Sequence, residues 1–218
     1  MKNILLALVF GSIIIVMSCG DGNVTITPDA TIQETEDSAT IVNYLADLGY
    51  EGDEVGNGLS GVRYVVLDSG SVANEAIEEG DIVTFFFIGK TLNDTIFDTS
   101  IEAVGDSIRL AVEENLGSDT SDVELVYLER FPETRTYAPY EFTYSESTWT
   151  TDRGIIGFSL INGFRIGFAA SLKGVRLDGT TLIVMPSSQA YGTFGSGILI
   201  EPNEVIAFEL HPVEVIKQ

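Results

Sequence analysis

The sequence predicts an α+β fold: several strands, one core helix among them, a short helix in front and a long β-rich insertion. Two observations carry this reading. Segments rich in β-branched and aromatic residues, "VRYVVLD" (62–68), "DIVTFFFIGKTL" (81–92), "TTLIVMPS" (180–187) and "EVIAFELHPVEVI" (204–216), read as strands. Between them, "GFAASLKGV" (167–175) sets Phe168, Leu172 and Val175 on one helical face. A chain of 218 residues with a hydrophobic fraction of 44% has room for one ordinary domain with additions, or two small ones.

Taken in order, the chain opens with "MKNILLALVFGSIIIVMSC". Lys2 gives a short positive region, and Ile4 to Val16 is mostly apolar but shorter than the roughly 20 residues of a membrane span. The run ends in "VMSC", which resembles a bacterial lipobox; there Cys19 is lipidated through its thiol and becomes the first mature residue. The alternative is a plain secretory signal or a short anchor helix with an incidental cysteine. Cys19 is the only cysteine, so no intramolecular disulfide can form. Residues 1–18 are therefore expected to be a lipoprotein signal peptide, and the protein to sit in the bacterial cell envelope, held to a membrane by the lipid.

Residues 19–38 are polar and acidic and lack the apolar content to bury a core, so they are expected to form a flexible tether. In "SATIVNYLADLGY", Ile41, Tyr44, Leu45 and Leu48 recur at helical spacing, with Asp37 or Ser38 to cap the start and Gly49 to end it. This predicts a helix over 39–48, followed by a glycine-rich break to residue 59 and the main domain over 60–218. After the strand at 81–92, "NDT" offers a turn before "IFDTS". The stretch 101–157 interrupts the pattern. Its alternating segments "VELVYLE" and "YEFTYSE" predict strands with one wet face, in an insertion containing a hairpin. The chain has no internal repeat.

The formal charge of -22, with only 11 Lys+Arg, argues against a nucleic-acid partner, because phosphate binding needs a basic face. His211 is the only histidine and has no serine or cysteine arranged around it, which argues against a catalytic triad or a histidine-rich metal site. "DTSDVE" and "EEGD" lack the spacing of a calcium loop.

Two blocks resemble the FKBP-type peptidyl-prolyl isomerases. "EEGDIVTFFFIGKTLNDTIFDTS" is similar to the family's opening strands, an apolar strand ending in Y-x-G and then F-D-S-S, carried here by Gly80, Phe87, Gly89, Phe97, Asp98 and Ser100. "FSLINGFRIGFAASLKGVRLDGTTLIVMPSSQAYGTFGSGILIEPNEVIAFELHPVEVI" resembles the family's helix start, its I-P-x-x-x-A-Y-G strand and loop, and its closing strand. Read without gaps from Phe168, it sets Gly179, Pro186, Ala190, Tyr191, Gly192, Pro202, Asn203 and Phe208 on the pattern. The resemblance spans roughly residues 60–100 and 158–217.

The resemblance implies a twisted antiparallel sheet wrapped around one short helix, with a shallow aromatic pocket between them. It assigns Asp98, Tyr191 and Phe168 to catalysis: Phe168 as the floor, where the family usually has tryptophan, Tyr191 over the pocket with its hydroxyl toward a substrate carbonyl, and Asp98 as a hydrogen-bonded ionisable group beside it. Substrate-binding walls fall to Phe87, Phe97, Phe158, Leu199, Ile200 and Phe208, with Arg165 at the rim. An alternative register aligns "LINGF" with the helix start and gives those roles to Ile161 and Phe164, at the expense of a four-residue gap. Phe87 stands where a tyrosine is common. The implied activity is cis-trans isomerisation of X-Pro bonds in proline-containing polypeptide clients, with no cofactor and no metal. Phe87, Arg165 and the insertion leave open a binding or chaperone module of reduced turnover, or a structural subunit of an envelope machine.

Overall fold

Alternating β-branched and aromatic residues build the sheet, and the sides on which they alternate decide what each face packs against. The structure, a computed structural model, describes residues 30–116, 121–144 and 162–218. In chain order the elements are α1 (Ala30–Asp47), β1 (Gly56–Asn57), β2 (Arg63–Asp68), β3 (Ile82–Thr91), β4 (Ile96–Thr99), α2 (Glu102–Asn115), α3 (Asp122–Arg130), β5 (Tyr140–Thr143), α4 (Asn162–Ser171), β6 (Thr180–Met185) and β7 (Ile206–Ile216). The seven described strands form one antiparallel sheet in the order β1-β2-β6-β7-β3-β4, with β5 also on β3. β3 is the axis. β7 pairs along its whole length on one side, from Ile82↔Ile216 to Thr91↔Ile206. Its other edge is shared, β5 pairing with Ile82–Phe85 and β4 with Ile88–Lys90. Pro212, which has no N–H to give, sits where the β3–β7 register shifts between Thr84 and Phe85.

Successive side chains of a strand point to opposite faces. Ile183 and Met185 of β6 and Ile206, Phe208 and Leu210 of β7 join one core with α4, while Leu182, Val184 and Ala207 join a second with α1. The first core is dominated by rings, the second by aliphatic side chains. α4 lies close on the sheet because Gly167 has no side chain: a Cβ there would stand 2.1 Å from Ile183 Cγ2. Among the described residues no helix is long and apolar enough to cross a membrane.

Three expectations need correction. The N-terminal helix starts at Ala30, nine residues before the predicted 39, so the second half of the expected 19–38 tether is helical. Asp37 does not cap it. Asp37, Ile41 and Leu45 form its buried stripe, and the Asp37 carboxylate bonds to Ser187 and Gln33, which gives the polar first half a reason to fold. Gly49, at φ +90, ends the helix as expected.

The core helix runs from Asn162 to Ser171 rather than over 167–175; Leu172 and Val175 are buried just beyond it. Among its described residues, 101–116 and 121–144, the insertion is mainly helical. "VELVYLE" lies in α3, because Ser121 and Glu124 close a capping box: the Ser121 hydroxyl accepts from the Glu124 amide at 3.3 Å, and the Glu124 carboxylate accepts from the Ser121 amide at 2.7 Å. From "YEFTYSE", Tyr140–Thr143 form β5, which pairs with β3; the remainder of the expected hairpin falls on residues 145–157, which lie outside the described residues. Cys19, residues 1–29, Phe158 and Ile161 lie outside the described residues.

Candidate functional site

The "FDTS" motif fixes the site's first wall by side-chain bonds to β3. The Thr99 hydroxyl donates to the Phe87 carbonyl at 2.8 Å, and the Phe87 amide donates to the Ser100 hydroxyl at 2.9 Å. β4 thereby holds Phe97 over Gly89. A Cβ on Gly89 would stand 2.7 Å from Phe97 and 2.8 Å from Phe208, so the two rings close over this strand only because the residue is glycine.

Phe208 is the hub. Phe97 meets it edge-on at 5.6 Å, Phe164 edge-on at 5.1 Å, and Phe87 lies 6.0 Å away. Tyr191 meets Phe97 edge-on at 6.2 Å, and Tyr140 of β5 meets Phe87 edge-on at 5.4 Å. These rings come from β3, β4, β5, α4, the loop after β6, and β7. Leu199 and Ile200 are buried in the same core. Phe87, Phe97, Phe164 and Phe208 are buried, while Tyr140 and Tyr191 are half-buried and form the rim.

The helix floor differs from the ungapped register. Phe168 packs deeper, against Phe85 at 5.1 Å, Phe142 at 5.3 Å and Tyr144 at 6.2 Å. Phe164, one turn earlier, is the residue of α4 that stands against Phe208, as the gapped register implies. Arg165 is half-buried on the same helix.

Asp98 lies at the rim and is held in place. Its Oδ1 accepts from the Thr99 amide at 2.9 Å and from Arg135 Nη2 at 2.8 Å. Arg135 also donates to the Thr99 and Arg130 carbonyls, both at 2.8 Å, and its guanidinium stacks on Phe131 and Tyr137. Arg135 thus ties the insertion to Asp98 and Thr99, in addition to the pairing of β5 with β3. Burial pushes the Tyr191 hydroxyl above its ordinary pKa, with Arg130 opposing and Asp98 adding to the rise, so it remains a proton donor at neutral pH. Burial raises Tyr140 as well, again with Asp98 adding. Arg135 and Tyr140 were not singled out from the sequence. The signal for both is "RTYAPY", where an arginine and two tyrosines lead into β5. Among the described residues no three His, Cys, Asp or Glu side chains group to hold a metal ion.

Comparison with known proteins bears on this arrangement. The profile of a family described as FKBP-type peptidyl-prolyl cis-trans isomerase matches residues 73–212, more than half of the chain. The chain belongs to the FKBP-type peptidyl-prolyl cis-trans isomerase family. Among solved structures, a peptidyl-prolyl cis-trans isomerase from Pseudomonas syringae pv. tomato is similar at 18% identity with a TM-score of 0.44, covering 88% of this chain and 99% of that one. FkpA from Escherichia coli is similar at 19% identity with a TM-score of 0.43, covering 85% of this chain and 64% of its own. No curated protein matches the sequence. The FKBP-type match spans β3 and β4, the insertion, α4, and the Tyr191 loop, so Phe208 and the five other rings of the cluster fall within it.

Proposed function

We propose that this FKBP-type isomerase is a lipid-anchored protein of the bacterial envelope that speeds the folding of proline-containing clients, acting at the rim between Tyr191, Tyr140 and Asp98. The observation that carries the site is the meeting of Phe97 and Phe164 on Phe208, with Tyr191 edge-on to Phe97, next to the anchored Asp98. Rotation about an X-Pro bond faces a barrier of about 18–20 kcal/mol, because amide resonance is lost on twisting. Uncatalysed, it takes tens to hundreds of seconds. No bond is made or cut, so the protein's task is to bind the twisted amide better than the planar one. Apolar rings exclude water from the proline, which favours the less dipolar twisted form, and the protonated Tyr191 hydroxyl supplies a donor for the carbonyl. Each tenfold acceleration needs about 1.4 kcal/mol of such preference.

A protease-coupled assay with proline peptides, run on the full chain, tests the reading. Acceleration that depends on the residue before proline is the expected result; a rate equal to buffer across several such residues rejects it. The anchor rests on Lys2, the apolar run and Cys19. Metabolic labelling with a tagged fatty acid is expected to mark the chain and to fail in Cys19→Ala; equal labelling of both removes the anchor from the proposal.

A second reading has one observation in its favour. Leu110 of α2 and Leu125 of α3 are each about half exposed, so the insertion offers apolar side chains to a client. Suppression of client aggregation without acceleration of the peptide would favour a binding module over an enzyme.

A further inference from the structure

α1 lies against the opposite face of the sheet from the rings, yet it is bonded to the loop that carries Tyr191. Asp37 is 2% exposed in the middle of α1. Its Oδ2 accepts from the Ser187 amide at 2.7 Å and from the Ser187 hydroxyl at 2.6 Å, and its Oδ1 accepts from Gln33 Nε2 at 2.7 Å. A buried carboxylate is unfavourable unless its oxygens are satisfied, and bonds to an ionised acceptor are the strong kind. Packing does not require it there, because Ile41 and Leu45 already seat α1 on the sheet.

Ser187 opens the loop. A single 3-10 turn (Ser187–Gln189) separates it from Ala190 and Tyr191. At the other end the Gly192 carbonyl, at the left-handed φ of +60, accepts from the Asn203 amide at 2.8 Å. Between α1 and the loop lies a cavity of about 370 Å³, bordered by Glu34, Ser38, Ser60, Pro186 and Gln189. On that side the loop is therefore placed by hydrogen bonds rather than by packed side chains.

We infer that Asp37 is a positioning residue for the isomerase reaction: through Ser187 it sets where Tyr191 stands over the site. This rests on the reading of Tyr191 as the substrate-facing donor. A misplacement of the order of 1 Å far from the chemistry can lower a rate by up to about 100-fold.

The test compares Asp37→Ala, Asp37→Asn and Leu45→Ala in the full chain, well below each melting temperature. Asp37→Ala is expected to lower kcat about tenfold with KM changed by less than about twofold. Asp37→Asn keeps an acceptor oxygen for the Ser187 amide and is expected to recover most of that loss. Leu45→Ala weakens α1 packing without touching the bonds, and is expected to leave kcat unchanged. In parallel, the heteronuclear NOE of the Tyr191 and Gly192 amides should fall in Asp37→Ala alone. Wild-type kcat in Asp37→Ala, or an equal loss in Leu45→Ala, overturns the inference. If the wild-type chain itself does not accelerate the peptide, the isomerase reading fails and the NOE decides the positioning separately: unchanged loop amides in Asp37→Ala overturn it.

Discussion

The two faces of the sheet bury comparable strands under different chemistry. On the α4 side, Phe85, Phe87, Phe97, Phe142, Phe164, Phe168 and Phe208 fill the core. On the α1 side, Ile41, Leu45, Val65, Leu182, Val184, Val205 and Ala207 do so, with Tyr44 and Tyr50 only at the margin. Aliphatic groups stabilise by area removed from water and are nearly indifferent to orientation. Rings add a directional preference: edge-on pairs contribute about 0.5–1.5 kcal/mol beyond burial. The three edge-on contacts of Phe97 with Tyr191, Phe97 with Phe208 and Phe164 with Phe208 all lie within 6.2 Å. One face fixes where surfaces point; the other holds the sheet and, through Asp37, a loop of the first.

The comparison is broken most severely at its hub. Phe208→Leu keeps an apolar side chain but removes the ring against which Phe97, Phe164 and Phe87 are oriented. The smaller side chain loses buried area and leaves part of the ring's volume empty, which is expected to cost about 1–3 kcal/mol of stability. The larger effect is expected on catalysis: a drop in kcat/KM of about tenfold or more, in the peptide assay, for a fully folded protein. A variant as active as the wild type would show that ring orientation is not what the site uses.

Leu45→Ala sharpens the contrast from the other side. Leu45 is buried among aliphatic residues, and its truncation is expected to cost about 2–5 kcal/mol by chemical denaturation. Activity per folded molecule should not change. Stability and catalysis would then separate by face, the aliphatic substitution costing more of the first and the aromatic one more of the second.

The same division governs how much the sequence reveals. Strand periodicity places β2, β3, β4, β6 and β7 where the structure has them, because that signal is local, and the "FDTS" and "AYG" motifs mark Phe97 and Tyr191, whose rings meet edge-on. The helix register was not local: Phe164 and Phe168 both belong to the buried face of α4, and only the position of Phe208 distinguishes them. The capping box at Ser121 marks α3 in the sequence, while the alternation that follows it, which helices also tolerate, points to a strand. The first half of α1 was illegible for a different reason. Its anchor is an aspartate bonded to a serine 150 residues away, and composition marks such a segment as tether. Arg135, 37 residues from the Asp98 it pairs with, was hidden in the same way.

The smallest effect belongs to the polar margin of the α1 face. Glu209 and His211 follow Ala207 on alternate positions of β7, so they continue that face beyond the helix. Burial pushes the His211 pKa below its ordinary value of 6.5, while the Glu209 carboxylate opposes the shift. Glu209 lies 3.8 Å from Nε2 but is already committed to Lys90 at 2.9 Å, and the other ring nitrogen contacts the Thr180 hydroxyl at 3.3 Å. Nε2 itself is buried and has no hydrogen-bond partner among the described residues. The unfolded chain therefore binds a proton that the folded chain resists. Stability is fully present above pH 6.5 and declines as the pH falls from there toward the lowered value in the fold. With one histidine in the chain, a fall in melting temperature between pH 7 and pH 5.5 is assignable to this residue. His211→Gln is expected to flatten the profile over that interval while leaving the isomerase rate unchanged. A profile just as steep in the variant would move the effect to the carboxylates and leave the α1 face without a titrating margin.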